Sequence, residues 1–526
     1  MYASRKYNQL ILKTKYAPQL KALIPEAIIS EDFADTIYIP WTLERCQQLV
    51  RVGYNNVISP VEKDYVWSGG KTPFAHQHTT TAFCTLNKRG FIINGLGSGK
   101  TNAVLWAIDY LMNIGEVRKT LILVSLSTID CVWGDTLFYE FFHRKFAILT
   151  GSAQRRNKLF ADKSYDFYII NHDGFGTIKD EYMKRDDIDV VLIDESTAYK
   201  DGSRRRFKRL RNALDDRKPK YAWAMSAEPR PNEPTDVWAQ ARLLGLHQNT
   251  SFTTFKDMTM QKVSTFKWVE RPEAHKVVAS LLSPSVRFAT RECIDLPETL
   301  YSTRQAQLTP AQHKLYSEMA NKFAIEFTGS VASAVNEADV QNKLMQIACG
   351  FIYSRDADQQ NITQDLDPSS RLAVLDEILE SIPGKVIIFV PYTELIHIVK
   401  KHLDKTRSCR VVYGDIKKAE RYEIFTLFQK SPTPDTIIAH PRTMAHGITL
   451  TAAATIVWYA PYASNEYYNQ ANGRIVRPSQ TKVTNIVHII ATDLEKRIYA
   501  KLSKRQALQG TTLDYLKELQ NGRSND

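Results

Sequence analysis

Twice along this chain, short aliphatic runs alternate with amphipathic stretches, and that repeated alternation restricts the fold more than any other feature. In the first half the runs fall at 90–94, 120–125, 167–171, 190–193 and 221–226. In the second half they fall at 385–390, 409–413, 436–439, 455–459 and 484–490. Runs of this kind are apolar on both faces, so each series predicts a parallel sheet covered by helices. A parallel sheet places its ligand-binding loops at the carboxyl ends of its strands. At 526 residues the chain is also too long for one core. The expectation is an α/β protein with two tandem parallel-sheet lobes. A small N-terminal accessory domain is expected over 1–69, the first lobe over 70–245 and the second over 296–516. Between the lobes, residues 246–295 lose the alternation and are rich in Phe, Lys and Met, which reads as a connecting insertion. The last residues, 517–526, read as a polar tail, frayed from Gln520.

Composition narrows the setting. The six cysteines are scattered with no CxxC pair, which argues against a zinc site or a disulfide framework and for a reducing compartment. The N-terminus lacks the apolar core and cleavage site of a signal peptide, and no apolar stretch reaches the roughly 18 residues of a membrane span. A cytoplasmic location is expected, with no membrane partner. The formal net charge of +12 suits a polyanionic partner, although solubility alone would also account for it.

Three motifs carry chemistry. Directly after Phe91-Ile92-Ile93 comes Asn94-Gly95-Leu96-Gly97-Ser98-Gly99-Lys100-Thr101, followed by a helical pattern over 102–111. Small residues let backbone N–H groups approach phosphate oxygens, Lys100 supplies a point charge, and Thr101 offers a hydroxyl to magnesium. The strict pattern GxxxxGK[ST] fails at Asn94, but the shorter GxGKT holds. Such a string occurs by chance in glycine-rich loops; its place between a strand and a helix favours nucleotide binding. Asp194-Glu195 closes the run Val190-Val191-Leu192-Ile193. A solvated acidic turn is the bland alternative. Behind a phosphate loop, Asp194 would hold magnesium through water and Glu195 would polarise the attacking water. Finally, Arg474 and Arg477 follow Gln470. On a helix, residues three apart share a face, and both guanidinium groups would then enter one cleft to stabilise charge on the γ-phosphate. Alone, such a pair is more often a solvated face; its order behind the other motifs reverses that.

Taken together these strings resemble a superfamily-two helicase of the Swi/Snf type, in the compact form common in bacteriophages and mobile elements. Pro73-Phe74-Ala75-His76-Gln77 resembles the glutamine motif, which implies adenine recognition by Gln77. Ile122-Leu123-Val124-Ser125-Leu126-Ser127-Thr128 resembles the segment that touches a DNA strand in that family. Ser226-Ala227-Glu228-Pro229-Arg230-Pro231-Asn232 resembles the coupling motif, with Glu228 in place of the usual threonine. Gly447-Ile448-Thr449-Leu450-Thr451-Ala452-Ala453 resembles a second-lobe DNA motif. The box from Gln470 to Gln480 resembles the final arginine motif, with Ser479 in place of a glycine. The resemblance covers about 72–490 and implies RecA-like lobes with ATP bound between them. It further implies ATP and Mg2+ as cofactors, and Ser127, Thr128, Ser226, Glu228, Gly447 and Thr449 as nucleic-acid or coupling residues.

Other polar groups stay open. The basic run from Ser203 to Arg211 fits phosphate contacts or an exposed helix face equally well. Trp133, His143 and Arg144 read as structural, and His172 as packed at a strand end. His440 and His446 flank the second-lobe motif and fit either a polar role in that cleft or packing.

The resemblance implies an ATP-dependent translocase on duplex or branched DNA, serving replication, recombination or branch migration, with proteins of those processes as further partners. If the chain is phage-encoded, its place would be the host cytoplasm or nucleoid. Three alternatives are a motor subunit of a restriction or nuclease assembly acting with a partner in trans, an RNA helicase, and a binding module with a dead ATPase site. The intact Lys100, Asp194, Glu195 and arginine pair speak against the last.

Overall fold

The computed structural model describes residues 1–264, 267–293, 296–329, 334–355, 361–444, 448–477 and 479–522. Gly447 and His446, both singled out from the sequence, lie outside the described residues. The chain divides into two compact units. The first comprises residues 1–261, 269–294 and 509–526, and the second comprises 262–268 and 295–508.

The first unit opens with an antiparallel sheet of β1 (Tyr2–Ser4), β2 (Gln9–Lys13), β3 (Ile28–Ile29) and β4 (Thr36–Pro40), in the order β1-β2-β4-β3. Alternate residues Leu10, Leu12, Ile37 and Ile39 bury one face of it, with Trp41, Cys46 and Leu49, in a core of their own. Gln47 ties this layer to the rest of the first unit. Its amide donates to Thr85 O and to the Tyr221 hydroxyl, both at 2.8 Å.

Then come β5 (Arg89–Ile92), β6 (Lys119–Val124), β7 (Phe146–Ile148), β8 (Phe167–Asn171), β9 (Ile188–Ile193) and β10 (Tyr221–Met225). A hairpin of β11 (Met260–Ser264) and β12 (Lys267–Glu270) precedes a short β13 (Ser285–Val286). The main sheet runs β13-β5-β10-β9-β6-β8-β7, and its paired strands are parallel. The strands are apolar on both sides because helices cover both faces. On β9, Val190 and Leu192 enter one core while Val191 and Ile193 enter another. On β10, Trp223 and Met225 face the first core and Ala222 and Ala224 a third. Each fully buried Val, Leu or Ile contributes about 1.5–3 kcal/mol.

In the second unit, β14 (Thr299–Gln305), a hairpin of β15 (Phe351–Arg355) and β16 (Asn361–Asp365), and β17 (Lys385–Phe389) are followed by β18 (Cys409–Val412), β19 (Thr436–Ala439), β20 (Ala453–Trp458) and β21 (Thr484–Ile490). Its parallel sheet has the order β14-β21-β20-β17-β19-β18. The same alternation holds, with Val386 and Ile388 on one side and Ile387 and Phe389 on the other.

The sequence reading misses three strands of these sheets. β7 and β13 are too short to form an aliphatic run, and β14 (Thr-Leu-Tyr-Ser-Thr-Arg-Gln) is polar and largely exposed. β13 lies inside the stretch expected as a connecting insertion, yet it forms an edge of the first sheet. Of the tail expected to fray from Gln520, residues 520–522 continue the helix Asp493–Gly522, and 523–526 lie outside the described residues. Among the described residues, no helix is long and apolar enough to cross a membrane.

Candidate nucleotide site

The phosphate loop leaves the carboxyl end of β5 and enters the helix Lys100–Asn113, whose N-cap is Gly99. Gly97 and Gly99 have φ of 78° and 72°, in the left-handed region that side chains resist. A helix N-terminus with small residues before it presents backbone N–H groups and a positive dipole end to an anion.

Close approach sets the other glycine. A Cβ on Gly95 would sit 2.1 Å from Thr290 Oγ1 and 2.7 Å from Thr290 N. The segment after β13, which leads into the helix Thr290–Cys293, cradles the loop here. Gly95 N donates to Phe288 O at 2.8 Å, and Thr290 Oγ1 donates to Leu96 O at 3.1 Å. Asn94, at the position where the strict pattern has glycine, is a lock. Its amide donates to Thr80 Oγ1 at 2.8 Å and its carbonyl accepts from Phe288 N at 3.0 Å. No local sequence signal marks Phe288 or Thr290, because their role depends on a two-residue strand pairing far along the chain.

Gln77 is buried in the helix Ala75–Leu86. Its carbonyl accepts from Phe74 N at 2.9 Å, and its amide lies 3.4 Å from Ser98 O and 3.3 Å from Gly99 O. His76 Nε2 lies 2.8 Å from Ser98 O. This arrangement holds the loop from below. Phe74, exposed and stacked on His76 at 5.7 Å, stands beside it.

Lys100 Nζ donates to Asn94 O at 2.8 Å and Gly95 O at 3.0 Å, so the ammonium folds over its own loop. Its charge also acts on Asp194 at the end of β9. Burial pushes the Asp194 carboxyl above its ordinary range; the hydrogen bond from Trp133, the Lys100 charge and the Glu195 N–H oppose that rise. Trp133 Nε1 donates to Asp194 Oδ2 at 2.9 Å, and Glu195 N donates to Oδ1 at 3.0 Å. Each oxygen keeps a lone pair for a further contact. Trp133 is therefore part of the acidic site and not simply a packing residue. Its neighbours His143 and Arg144 are structural as expected, bonded to buried Asp109 at 2.9 and 2.6 Å. Glu195 has φ 48° and ψ 58°, a conformation uncommon for a non-glycine residue.

Thus Gln77, the loop, Lys100, Thr101 at the start of its helix, and Asp194 converge on one sheet edge. Hard oxygen donors of this kind, one carboxylate with one hydroxyl, suit Mg2+ completed by water and phosphate. Among the described residues, no cluster of three or more His, Cys, Asp or Glu forms a self-sufficient metal cage.

The flanking motifs join the same edge. Ser226 N donates to Ile92 O at 3.1 Å, and Glu228 N donates to Ser226 Oγ at 3.1 Å. Gln240 links two loops. It accepts from Ser196 Oγ at 2.7 Å and donates to Pro229 O at 2.6 Å. Arg230 donates to both carboxylate oxygens of Glu270, at 3.0 and 2.6 Å, and to Thr512 Oγ1 at 2.8 Å. Ser125 and Thr128 pair at 3.0 Å, which sets the turn containing Ser127. His172 is buried, edge-on to Tyr199 at 5.2 Å, as a packed strand-end residue. The basic run forms the helix Arg205–Arg217. Phe207 and Leu210 anchor it, and Arg205, Lys208 and Arg209 are exposed.

In the second unit, the helix Asn465–Asn472 ends at Gly473, before either arginine. The common helical face expected for Arg474 and Arg477 is therefore not formed. Gly473 at the cap, a poor helix former, ends the helix. Arg474 is buried, with Nε donating to Gln470 O at 3.0 Å and Nη1 to Ile448 O at 2.9 Å. Arg477 follows in the turn and is half-buried. Thr449 is exposed. His440 accepts from Arg442 N at 3.2 Å, and burial, with the Arg442 charge, holds its ring below the usual histidine range.

A phosphate loop facing a buried aspartate on one parallel sheet, with a second parallel sheet downstream, defines a helicase-type ATPase. The SNF2-related domain matches residues 39–353, and the helicase conserved C-terminal domain matches residues 370–479. The chain belongs to the SNF2-related family. It is similar to protein p41 of Acyrthosiphon pisum secondary endosymbiont phage 1, at 24% identity over 85% of this chain and 99% of that protein. It is also similar to the uncharacterized ATP-dependent helicase MG018 of Mycoplasma genitalium, at 22% identity over 81% of this chain and 40% of the relative. The chain thus spans less than half the length of that helicase. Among solved structures, the SWI2/SNF2 ATPase core of Sulfolobus solfataricus in complex with dsDNA aligns with a TM-score of 0.39 and 20% identity, over 87% of this chain and 95% of that one.

Proposed function

We propose that this protein is an ATP-driven translocase on duplex or branched DNA. The observation that carries the reading is the convergence of the glycine loop, Lys100 and the Trp133-oriented carboxylate of Asp194 at the carboxyl edge of one sheet. Lys100 exchanges its two loop carbonyls for the outer phosphates, and the N-terminus of its helix receives the remaining charge. Thr101 and Asp194 would hold the magnesium, which would supply charge neutralisation to the phosphates. Glu195 orients the attacking water. Arg474 and Arg477 are assigned the charge that develops on the departing phosphate, Arg477 as the more accessible of the two.

A nucleic-acid track is supported by the net charge of +12 and by a helix that exposes Arg205, Lys208 and Arg209, and the resemblance to Swi/Snf-type motors makes DNA the expected one. Phosphate contacts carry no sequence information, so movement would be independent of base sequence. The test is steady-state ATP hydrolysis with no nucleic acid, single-stranded DNA, linear duplex, a four-way junction and duplex RNA. Duplex or junction is expected to stimulate, and Lys100→Ala is expected to abolish the response. Stimulation by RNA alone, or by nothing, would overturn the reading.

A further inference from the structure

A cavity of about 500 Å³ opens at the amino ends of β5 and β10, the sheet edge opposite the phosphate loop. Four cations line it, namely Arg89, Arg211, Lys218 and Arg242, against the single carboxylate of Asp215. The carboxyl ends of the helices Arg205–Arg217 and Asp236–Leu243 also reach this place. Their dipoles offset roughly one unit of that charge, which leaves the cavity positive.

The groups differ in how they are held. Arg89 is a strap. Its guanidinium donates to Lys220 O at 2.8 Å and Pro219 O at 2.6 Å, which fixes the turn after the first of those helices. That turn puts Lys218 in the left-handed region, at φ 46°. Arg211 meets Asp215 at 3.3 Å. Arg242 lies over the Trp238 ring at 5.8 Å and donates through Nη1 to Gln248 O, while its Nε is buried with no hydrogen-bond partner among the described residues. Burial and the nearby Arg211 charge both lower the Arg242 pKa. Cations gathered with one acid among them, and with an unsatisfied buried donor, carry a cost that a bound anion removes.

We propose that this cavity binds a phosphoryl group, held by Arg211, Lys218 and Arg242, at a site separate from the nucleotide loop. A forked guanidinium matches phosphate oxygens, and two of them lining one cavity with a lysine suit a dianion better than a carboxylate. The phosphoryl group belongs either to a nucleic-acid backbone or to a small polyphosphate, and the same chemistry recognises both.

The test is calorimetric titration of the full chain with inorganic pyrophosphate while saturating Mg-ADP occupies the loop. Binding is expected to persist beside ADP. It should weaken at least about tenfold in the double variant Arg211→Gln/Arg242→Gln and be largely retained in Arg211→Lys/Arg242→Lys, with ADP affinity unchanged in both. A parallel salt titration of duplex DNA binding identifies the source. A shallower slope in the glutamine variant assigns the site to backbone phosphate, and an unchanged slope assigns it to a free polyphosphate. Absence of pyrophosphate binding beside ADP, or equal binding by wild type and a folded glutamine variant, would overturn the proposal. Failure of the motor reading would leave this titration unaffected, because it requires no hydrolysis.

Discussion

Trp133 donates its indole N–H to Asp194 at 2.9 Å, from the short π-helix Ile129–Gly134 that follows β6 to the carboxylate at the end of β9. Both side chains are buried. Burial drives the carboxyl toward its protonated form, and the Trp133 hydrogen bond and the Lys100 charge hold it back. The indole therefore tunes the acid assigned to magnesium as well as filling the core.

Trp133→Phe keeps much of the volume and removes the donor. A buried acceptor left without its partner costs about 1–3 kcal/mol, so ATP turnover is expected to fall about tenfold or more. The Asp194 pKa rises further when the hydrogen bond is lost. The proposed mechanism uses the ionised carboxylate, so the acid limb of the pH–rate profile should move to higher pH. A profile with an unmoved acid limb would show that the indole acts through packing alone.

Gln240 gives a second prediction. It joins Ser196, just after the acidic pair, to Pro229 in the coupling segment. Gln240→Met removes both bonds at nearly constant volume. If this bridge carries information from the acidic pair to the coupling segment, stimulation by DNA should drop more than basal hydrolysis. Equal losses in the two rates would reduce the bridge to a stability element.

The parallel sheets and the phosphate loop were legible in the sequence because uninterrupted aliphatic runs and glycine spacing are local signals. The partners of the site were not. Asn94 looked like a departure from the pattern and proves to hold the strand to Thr80 and Phe288. Thr290 belongs to a segment without alternation, and Trp133 resembles any buried tryptophan until its N–H is traced. The arginine motif failed differently. Its spacing suggested a helix, but Gly473 ends that helix first, a local signal that the i, i+3 argument passed over.

The loop glycines separate by what opposes them. On Gly99 an added Cβ meets the end of the Gln77 side chain at 2.1 Å, and that chain is able to shift. On Gly95 it meets Thr290 backbone at 2.7 Å. Gly95→Ala should therefore displace the 288–290 segment and abolish binding of a fluorescent ATP analogue. Gly99→Ala, strained by its positive φ at a cost of about 1 kcal/mol, should weaken binding by about fivefold. The reverse ranking would refute the cradle role of Thr290.

Arg230, which is buried, and Glu270, which is part-exposed, form a bidentate pair that also reaches Thr512. Removing the arginine leaves the Glu270 charge without its partner in a part-buried place and empties a buried site. Arg230→Met should lower the thermal midpoint sharply, and adding Glu270→Gln should recover part of the loss. A double variant no more stable than Arg230→Met would mean that the pair is not electrostatically coupled.

In the second unit, burial holds the His488 ring down to about 4, from an ordinary value of 6.5, with Nε2 2.8 Å from the Tyr468 hydroxyl. The folded state keeps this ring neutral, while the unfolded chain takes up a proton near its ordinary value. Its contribution to stability is therefore complete above about 6.5 and is lost as pH falls toward about 4. That difference corresponds to roughly 3 kcal/mol at the acid end. His488→Gln retains a side-chain amide near Tyr468 and cannot titrate. Urea unfolding followed between pH 7 and pH 4 should show a steeper acid loss in wild type than in the variant. Parallel curves would place the acid sensitivity of the second unit in other groups.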